Sequence, residues 1–440
     1  MSSVTGCPRF DYGPGQPNLY LMMRFKQNLI ARHGISDGFQ RYRETFGLPQ
    51  SARLRQVDLQ SERAFAAKCA RMFVETGRAG EPFVHIPPRV VGGGNHRPIA
   101  GVSRSQYVAC FDDTSVRGRS ALIKAAGHLL LDVQDGEPNS LDDEIDWDPA
   151  VFHAEGMRIW YIDGNEKDVP MEIGEAFTLL GAHTDFFGHW MFEYLPKYVA
   201  ARSTGDLPDV PVLIDAHMPA SHRESLELLF GKADSIVEVP AFTSVRVGRL
   251  WCAPTLSYMP VHDVRNERFR WEAVSASPTR FAGVIKELQK QFSLRPPVPQ
   301  TVGPRVYLAR KPFRHRRLTN SDAIQHAART LGFEIVYPED LSFSEQATIV
   351  QNADVVVAPE GSAIFLCFFA RPDSRLCILS HPWTDALTEY NGLLAPHGVE
   401  VVALTGPITR ANHETLHDSD YEIDEKMFRR VVQKLIGPIS

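Results

Sequence analysis

The chain has 440 residues and carries 47 Lys and Arg against 53 Asp and Glu, a net charge of −6, with 43% hydrophobic and 23% charged residues. That balance excludes a disordered or fibrous chain and argues against a general nucleic-acid or membrane binder, while the length suits two domains of comparable size. The six cysteines lie far apart without a C-x-x-C pair, which argues against a disulfide framework or a zinc site and for buried thiols in a reducing compartment.

The first residues, MSSVTGCPRFDYGPGQPN, lack a basic region followed by an apolar core, so no signal peptide is expected. Short apolar runs at 83–86, 107–111, 158–162, 177–182 and 210–215 read as strands, and 188–201 as an amphipathic helix. The acidic stretch 135–148 reads as a surface loop. Residues 281–292 have helical spacing, and 293–304 follow with prolines at 296, 297, 299 and 304, a composition that stiffens a linker. Beyond it, strands at 306–309, 333–336, 354–358, 375–379 and 400–404 alternate with helices at 320–331, after the Ser342/Glu345 capping box, and from Gly361 toward Phe369. That alternation predicts a parallel, doubly wound sheet. The run 353–370 is broken by Pro359, Glu360 and Gly361 and does not suit a membrane span, so a soluble, cytoplasmic protein is expected. A final helix at 424–436 has Met427, Phe428, Val431, Val432 and Leu435 on one face. The predicted fold class is α/β, with two Rossmann-like domains facing across a cleft: an N-terminal domain (1–292), the linker (293–304) and a C-terminal domain with a parallel sheet (305–440). Ligands of such folds bind outside the carboxyl ends of the strands, which favours a small phosphate-bearing substrate.

Three segments carry candidate chemistry. The first, RKPFRHRRLTN at 310–320, brings Arg310, Arg314 and Arg316 to the carboxyl end of a strand, where guanidinium forks match phosphate oxygens; its bland reading is a solvated basic loop. Only Phe313 interleaves with these charges, which argues against nucleic acid. The second, APEGSAIF at 358–365, places Gly361 at a turn and the N–H groups of Ser362, Ala363 and Ile364 at a helix start that favours anions, or serves only as a helix cap. Glu360 would repel phosphate there and suits sugar or ribose hydroxyls. The third, GAHTDFFGHWMFEYLPK at 181–197, puts His183 and Asp185 at a strand end, with His189 and Glu193 four apart on the next helix; such a pair could orient or supply a general base, or be structural. Without a third ligand it is not a metal site. Asp146-Trp147-Asp148 and Gly92-Gly93-Gly94 read as a solvated loop and an incomplete dinucleotide fingerprint.

Together these segments resemble glycosyltransferase family 61, whose bacterial members are associated with capsule or exopolysaccharide assembly. HWMFEYLP (189–196) resembles the family's His-aromatic-x-x-acid-x-Leu-Pro segment. YLAR followed by RRLTN resembles its Ser-Arg and Arg-x-x-x-Asn pattern, which ends here at Asn320, and 332–369 resembles its long closing motif. The chain departs from the pattern at Ala309, at Glu360-Gly361-Ser362, where His before Gly-Ala is common, and at Phe365-Leu366. The resemblance implies a GT-B-like architecture, with the acceptor on the N-terminal side and a nucleotide-sugar donor on the C-terminal side. It also implies an inverting transfer to a glycan with no obligatory metal and no cofactor. It points to Arg310, Arg314 and Arg316 with Ser362 for the diphosphate, to Asn320, Glu345, Gln346, Glu360 and Gly361 around the donor, and to His189 or Asp185, with Glu193, for the base. Peripheral association with membrane polysaccharide machinery is compatible with it. A nucleotide-sugar epimerase or hydrolase, or a non-catalytic binding protein, is the alternative.

Overall fold

In the second half of the chain the apolar runs form five strands of a six-stranded, all-parallel sheet, which one strand from the first half completes. Its order is Glu334–Val336, Arg305–Leu308, Val355–Pro359, Arg375–Ser380, Glu400–Thr405 and Arg89–Val91. Strands of such a sheet are covered on both faces and so read as continuous apolar runs; every residue of Val355–Pro359 is buried. Tyr307, Val355, Val357, Cys377 and Leu379 pack on one side against the helices Ser321–Thr330 and Glu425–Ile436. The final helix therefore belongs to this layer. On the other side, Val306, Leu308, Val356 and Ala358 pack against the helix Phe343–Asn352 and the 3₁₀ helix Ser362–Phe369. The five strands expected after residue 304 are present in parallel pairing. The computed structural model describes residues 19–48, 50–94, 96–132, 145, 148–163, 171–231, 235–258, 275–295, 302–312, 315–384, 386–412 and 416–437. Most of the acidic stretch 135–148, and Arg314, lie outside them.

The N-terminal half differs from the Rossmann-like expectation. Its nine-stranded sheet is mixed. Ile236–Val239, Val212–Asp215, Met171–Thr178 and Ser244–Cys252 are parallel neighbours, but Gln106–Arg117 joins Ser244–Cys252 antiparallel and continues through the short hairpins Ile123–Ala125 and His128–Leu131. Links of a few residues can join only antiparallel neighbours, because a parallel crossover needs a dozen residues or more. A separate three-stranded sheet, Arg53–Asp58, Arg158–Asp163 and Val151–Glu155, carries the helix Leu19–Thr45, which is kinked at Gly34.

The halves share a core. The helix Pro278–Ser293 precedes the proline-rich segment yet packs on the C-terminal layer: Phe281 lies 5.4 Å from Phe192 and 6.1 Å from Phe368 between ring centroids. Its Gln289 Nε2 donates to the carbonyls of Phe368 and Ala370 at 2.9 and 3.1 Å. Among the described residues, no helix is long and apolar enough to cross a membrane.

The strand Arg89–Val91 closes the parallel sheet at its far edge, with Arg89 opposite Val402 and Val91 opposite Leu404. The next residue must be glycine. Gly92 has φ +113°, and a Cβ there would stand 1.9 Å from the Thr405 carbonyl oxygen, so the backbone itself would have to move. We expect Gly92→Ala to lower stability by about 2–4 kcal/mol, read as a fall in the urea midpoint, because both backbone strain and loss of an edge strand follow.

Candidate active site at the carboxyl edge of the parallel sheet

The order of the six strands reverses between Arg305–Leu308 and Val355–Pro359, which are neighbours in space while Glu334–Val336 lies on the outer side of the first. The chain therefore leaves these two strand ends in opposite directions and opens a crevice, the usual ligand position in such sheets. A cavity of about 560 Å³ occupies it, within the range of small-molecule sites. Leu308, Ala309 and Arg310 line it from one strand end, Pro359, Gly361 and Ser362 from the other. Asp185, Phe187 and the turn at 219–224 form the opposite wall, and the segment 338–342 a third side.

Arg310 lies over the Gly361 turn, where a Cβ on Gly361 would sit 3.7 Å from its Nη1. Among the other described residues of the basic segment, Arg316 turns inward, while Lys311 and Arg317 stay half-exposed in ion pairs. Arg316 Nη1 donates to Glu360 Oε1 and Oε2 at 3.0 and 3.3 Å and to His417 Nε2 at 2.8 Å, while its Nε lies 3.5 Å from Asp418. Arg317 pairs with Asp420 at 2.6 Å, and Lys311 with Asp340. Glu360, expected at sugar hydroxyls, is 1% exposed and serves Arg316, with Tyr390 Oη donating to it at 3.4 Å. Burial pushes its carboxyl up, but Arg316, His417, His381 and Arg310 outweigh that and hold it below the usual carboxylate range. Burial, then Arg316, drives the His417 imidazole down to about 4, so it accepts from Arg316 as a neutral ring.

Asp215 builds the opposite wall. Its carboxylate, at the end of Val212–Asp215, accepts from Arg119 N at 2.5 Å, Gly181 N at 3.2 Å and Thr184 Oγ1 at 2.6 Å. The segment 181–185 is thereby fixed. Burial nevertheless raises its pKa to about 6 against these hydrogen bonds. Asp185 then points one oxygen, Oδ2, at Arg119 Nη2 (3.0 Å), while Oδ1 is buried without a hydrogen-bond partner among the described residues. The expected helix at 188–201 contains a π-helical turn, Trp190–Tyr194. Pro196 has no N–H to give the Phe192 carbonyl, which accepts from Ser257 Oγ at 2.5 Å instead; such bulges are frequent at functional sites. Within this turn Glu193 Oε2 meets His189 Nδ1 at 2.6 Å, and the His183 ring stacks on His189 with centroids 4.9 Å apart. Burial, reinforced by His189 and Arg119, holds the His183 imidazole well below its ordinary value.

The cavity thus brings together Asp185, Arg310, Gln346, Gly361 and Ser362 of the residues expected from sequence. Gln346 shapes its third side by donating to the carbonyls of Pro338 and Leu341 at 2.8 and 2.9 Å. Of the other expected residues, Arg314 lies outside the described ones and the rest do not line the cavity. His189 and Glu193 form a dyad behind Asp185, Arg316 and Glu360 an ion pair below the floor. Glu345 closes the capping box with Ser342, and Asn320 exchanges two hydrogen bonds with the Ile423 backbone at 2.8 and 3.1 Å. Ile364 N turns back to the Gly361 carbonyl at 3.1 Å. Sequence reasoning missed Arg119, Asp215 and His222. Asp215 ends the strand expected at 210–215, and that end position was the available signal; Arg119 and His222 carried none.

The family model described as Glycosyltransferase 61 matches residues 187–377, a stretch that includes Arg310, Gly361, Ser362 and the turn at 219–224. No curated protein matches the chain.

The buried pair predicts an acid limb of stability. Because the folded-state Glu360 carboxyl titrates below its unfolded value, its contribution is present above the unfolded pKa and is lost as pH falls through the folded one. His417, held neutral, must also charge as pH falls from about 6.5 toward 4. We expect Glu360→Gln to cost about 3–5 kcal/mol at pH 7, because it leaves Arg316 buried without its carboxylate, and to flatten the loss of stability between pH 5 and 3. Chemical unfolding at a series of pH values reads both.

Proposed function

We propose that the chain is an inverting, metal-independent glycosyltransferase that moves a sugar from a nucleotide-sugar donor to a glycan or related acceptor, with polysaccharide biosynthesis as its setting. The match at 187–377 supports the transferase class. The observation that carries the mechanism is one cavity with Arg310 and the Ser362 turn on one wall and the unpaired Asp185 Oδ1 on the other.

In this reading Asp185 takes the proton of the acceptor hydroxyl. The hydroxyl oxygen attacks the anomeric carbon from the face opposite the diphosphate. As the C–O bond forms, the bond to the diphosphate oxygen breaks and its electron pair leaves with the nucleoside diphosphate. Arg310 stabilises the charge that develops there. Arg119 orients Asp185 through the 3.0 Å contact of its Nη2 with Oδ2, and Asp215 fixes the backbone at Arg119 and the turn at 181–184. Asp185 is preferred to His189 because Asp185 borders the cavity. The His189–Glu193 dyad does not line the cavity, and the His183 ring stacks on His189.

Thermal unfolding with UDP-, GDP-, CMP- and dTDP-linked sugars tests the donor site. We expect one nucleotide class to raise the midpoint, equally with and without EDTA, and Arg310→Ala to abolish the shift; ligand at a hundredfold excess over Kd contributes about 2.7 kcal/mol. No shift with any of them would overturn the donor site as drawn. Asp185→Asn should keep the shift and reduce transfer to a responsive acceptor about 10²–10⁴-fold, the usual contribution of a general base.

A further inference from the structure

We infer that His222 is a sugar-recognition residue of this cleft, accepting through Nε2 a hydrogen bond from a hydroxyl of the transferred sugar. The inference rests on the donor-site reading above. His222 lies in the first turn of the helix Ala220–Phe230 and borders the cavity on the wall opposite Arg310. Its ring is clamped: it stacks on Trp190 with centroids 5.2 Å apart and planes 3° from parallel, and lies 5.7 Å from Phe187. Trp190 is anchored in turn, since its Nε1 donates to Ser225 Oγ at 2.9 Å and that hydroxyl donates to the His222 carbonyl at 2.6 Å.

The tautomer follows from the partner. Nδ1 lies 2.8 Å from the Thr184 carbonyl oxygen, which can only accept, so the proton is on Nδ1 and Nε2 carries a lone pair. Nε2 is buried and has no hydrogen-bond partner among the described residues. An unpaired buried acceptor is costly, and because His222 is 0% exposed a ligand hydroxyl reaches Nε2 by a small shift of the side chains at the cavity wall, which relief of that cost favours. Burial also drives the imidazole down to about 4, which keeps it neutral at pH 7 and makes it a poor proton carrier. It takes a hydrogen bond and leaves the acceptor's proton to Asp185.

The geometry selects the ligand chemistry. Phosphate oxygens are acceptors and cannot satisfy Nε2, whereas sugar hydroxyls donate. Thr184, which fixes the ring, is itself fixed by Asp215 and adjoins Asp185, so the two unpaired acceptors of this wall, Asp185 Oδ1 and His222 Nε2, are held in register by consecutive residues. A sugar held between this wall and Arg310 would present hydroxyls to both.

The test compares two affinities. The best-binding of UDP-glucose, UDP-N-acetylglucosamine, GDP-mannose and dTDP-glucose is titrated beside its parent nucleoside diphosphate. Expected for His222→Phe is about tenfold weaker binding of the nucleotide-sugar, with the diphosphate unchanged. Expected for His222→Gln, whose carboxamide oxygen can accept, is partial recovery. Donor analogues with single hydroxyls replaced by hydrogen should include one that binds the wild type about tenfold more weakly and His222→Phe with no further loss. Equal weakening of both ligands, or none of either, overturns the inference and leaves the donor site standing. Failure of the wild type to bind any of these nucleotides overturns the donor site and the inference with it.

Discussion

Glu360 stands one residue beyond the strand Val355–Pro359, at the strand end where a doubly wound sheet usually offers its backbone to an anion. Its carboxylate is buried against the Arg316 guanidinium, and the course of the chain from 316 to 320 depends on it. Arg316 is drawn inward to meet it and adopts φ +53° with its N–H on the Asp418 carbonyl at 3.2 Å. Once Arg316 is held there, the loop is bound to the strand Asp420–Tyr421 through Arg317 and to Ile423 beyond it through Asn320. Lys311 is taken by Asp340 at the same edge. Among the described residues of the basic segment, Arg310 alone lines the cleft, beside the start of the 3₁₀ helix at Ser362.

Across the cleft the ordering group is also a carboxylate. Asp215 collects three donors from two separated stretches of chain, at 119 and at 181–184, and so converts a strand-end turn into a fixed wall. Both sides are supported by one apolar cluster, in which Phe192 of the π-helical turn lies 5.6 Å from Phe365 of the 3₁₀ helix. A built Cβ on Gly188 would stand 3.0 Å from Ser362 Oγ, which measures how closely the walls approach behind the cavity. Geometry across the cavity is therefore set by packing and does not rely on the proline-rich segment.

Local patterns reveal much of the C-terminal sheet because each of its strands is a continuous apolar run and its helices begin and end with recognisable caps, Ser342 with Glu345 and Gly332 among them. The N-terminal half was less legible. Whether 106–117 runs parallel or antiparallel to its neighbour is decided by link lengths and pairing partners far along the chain, and a two-residue period is the same in both cases. Residues that line the cavity were legible where a polar side chain follows closely on a strand, as at Arg310 and Ser362. The pattern was misleading where a charged residue meets an internal partner distant in sequence, as Glu360 meets Arg316 and Asn320 meets Ile423. His222 was invisible because its significance lies in the Thr184 carbonyl and the Trp190 face, neither of which has a signature near position 222.

The three residues Arg89–Val91 complete a sheet whose other five strands all come after residue 304. On the ribosome, the edge strand emerges early and must remain unpaired until Glu400–Thr405 is synthesised. Pairings this distant in sequence slow folding, and domains tend to form in the order they are made. The N-terminal half therefore reaches a partly folded state with an open strand and a Gly-Gly-Gly tether before its partner exists. A C-terminal fragment beginning after the prolines would expose the bare edge of Glu400–Thr405, a template for pairing with other chains. This protein is accordingly a single cooperative assembly in biogenesis, and separate halves would be prone to aggregate before they could be mixed.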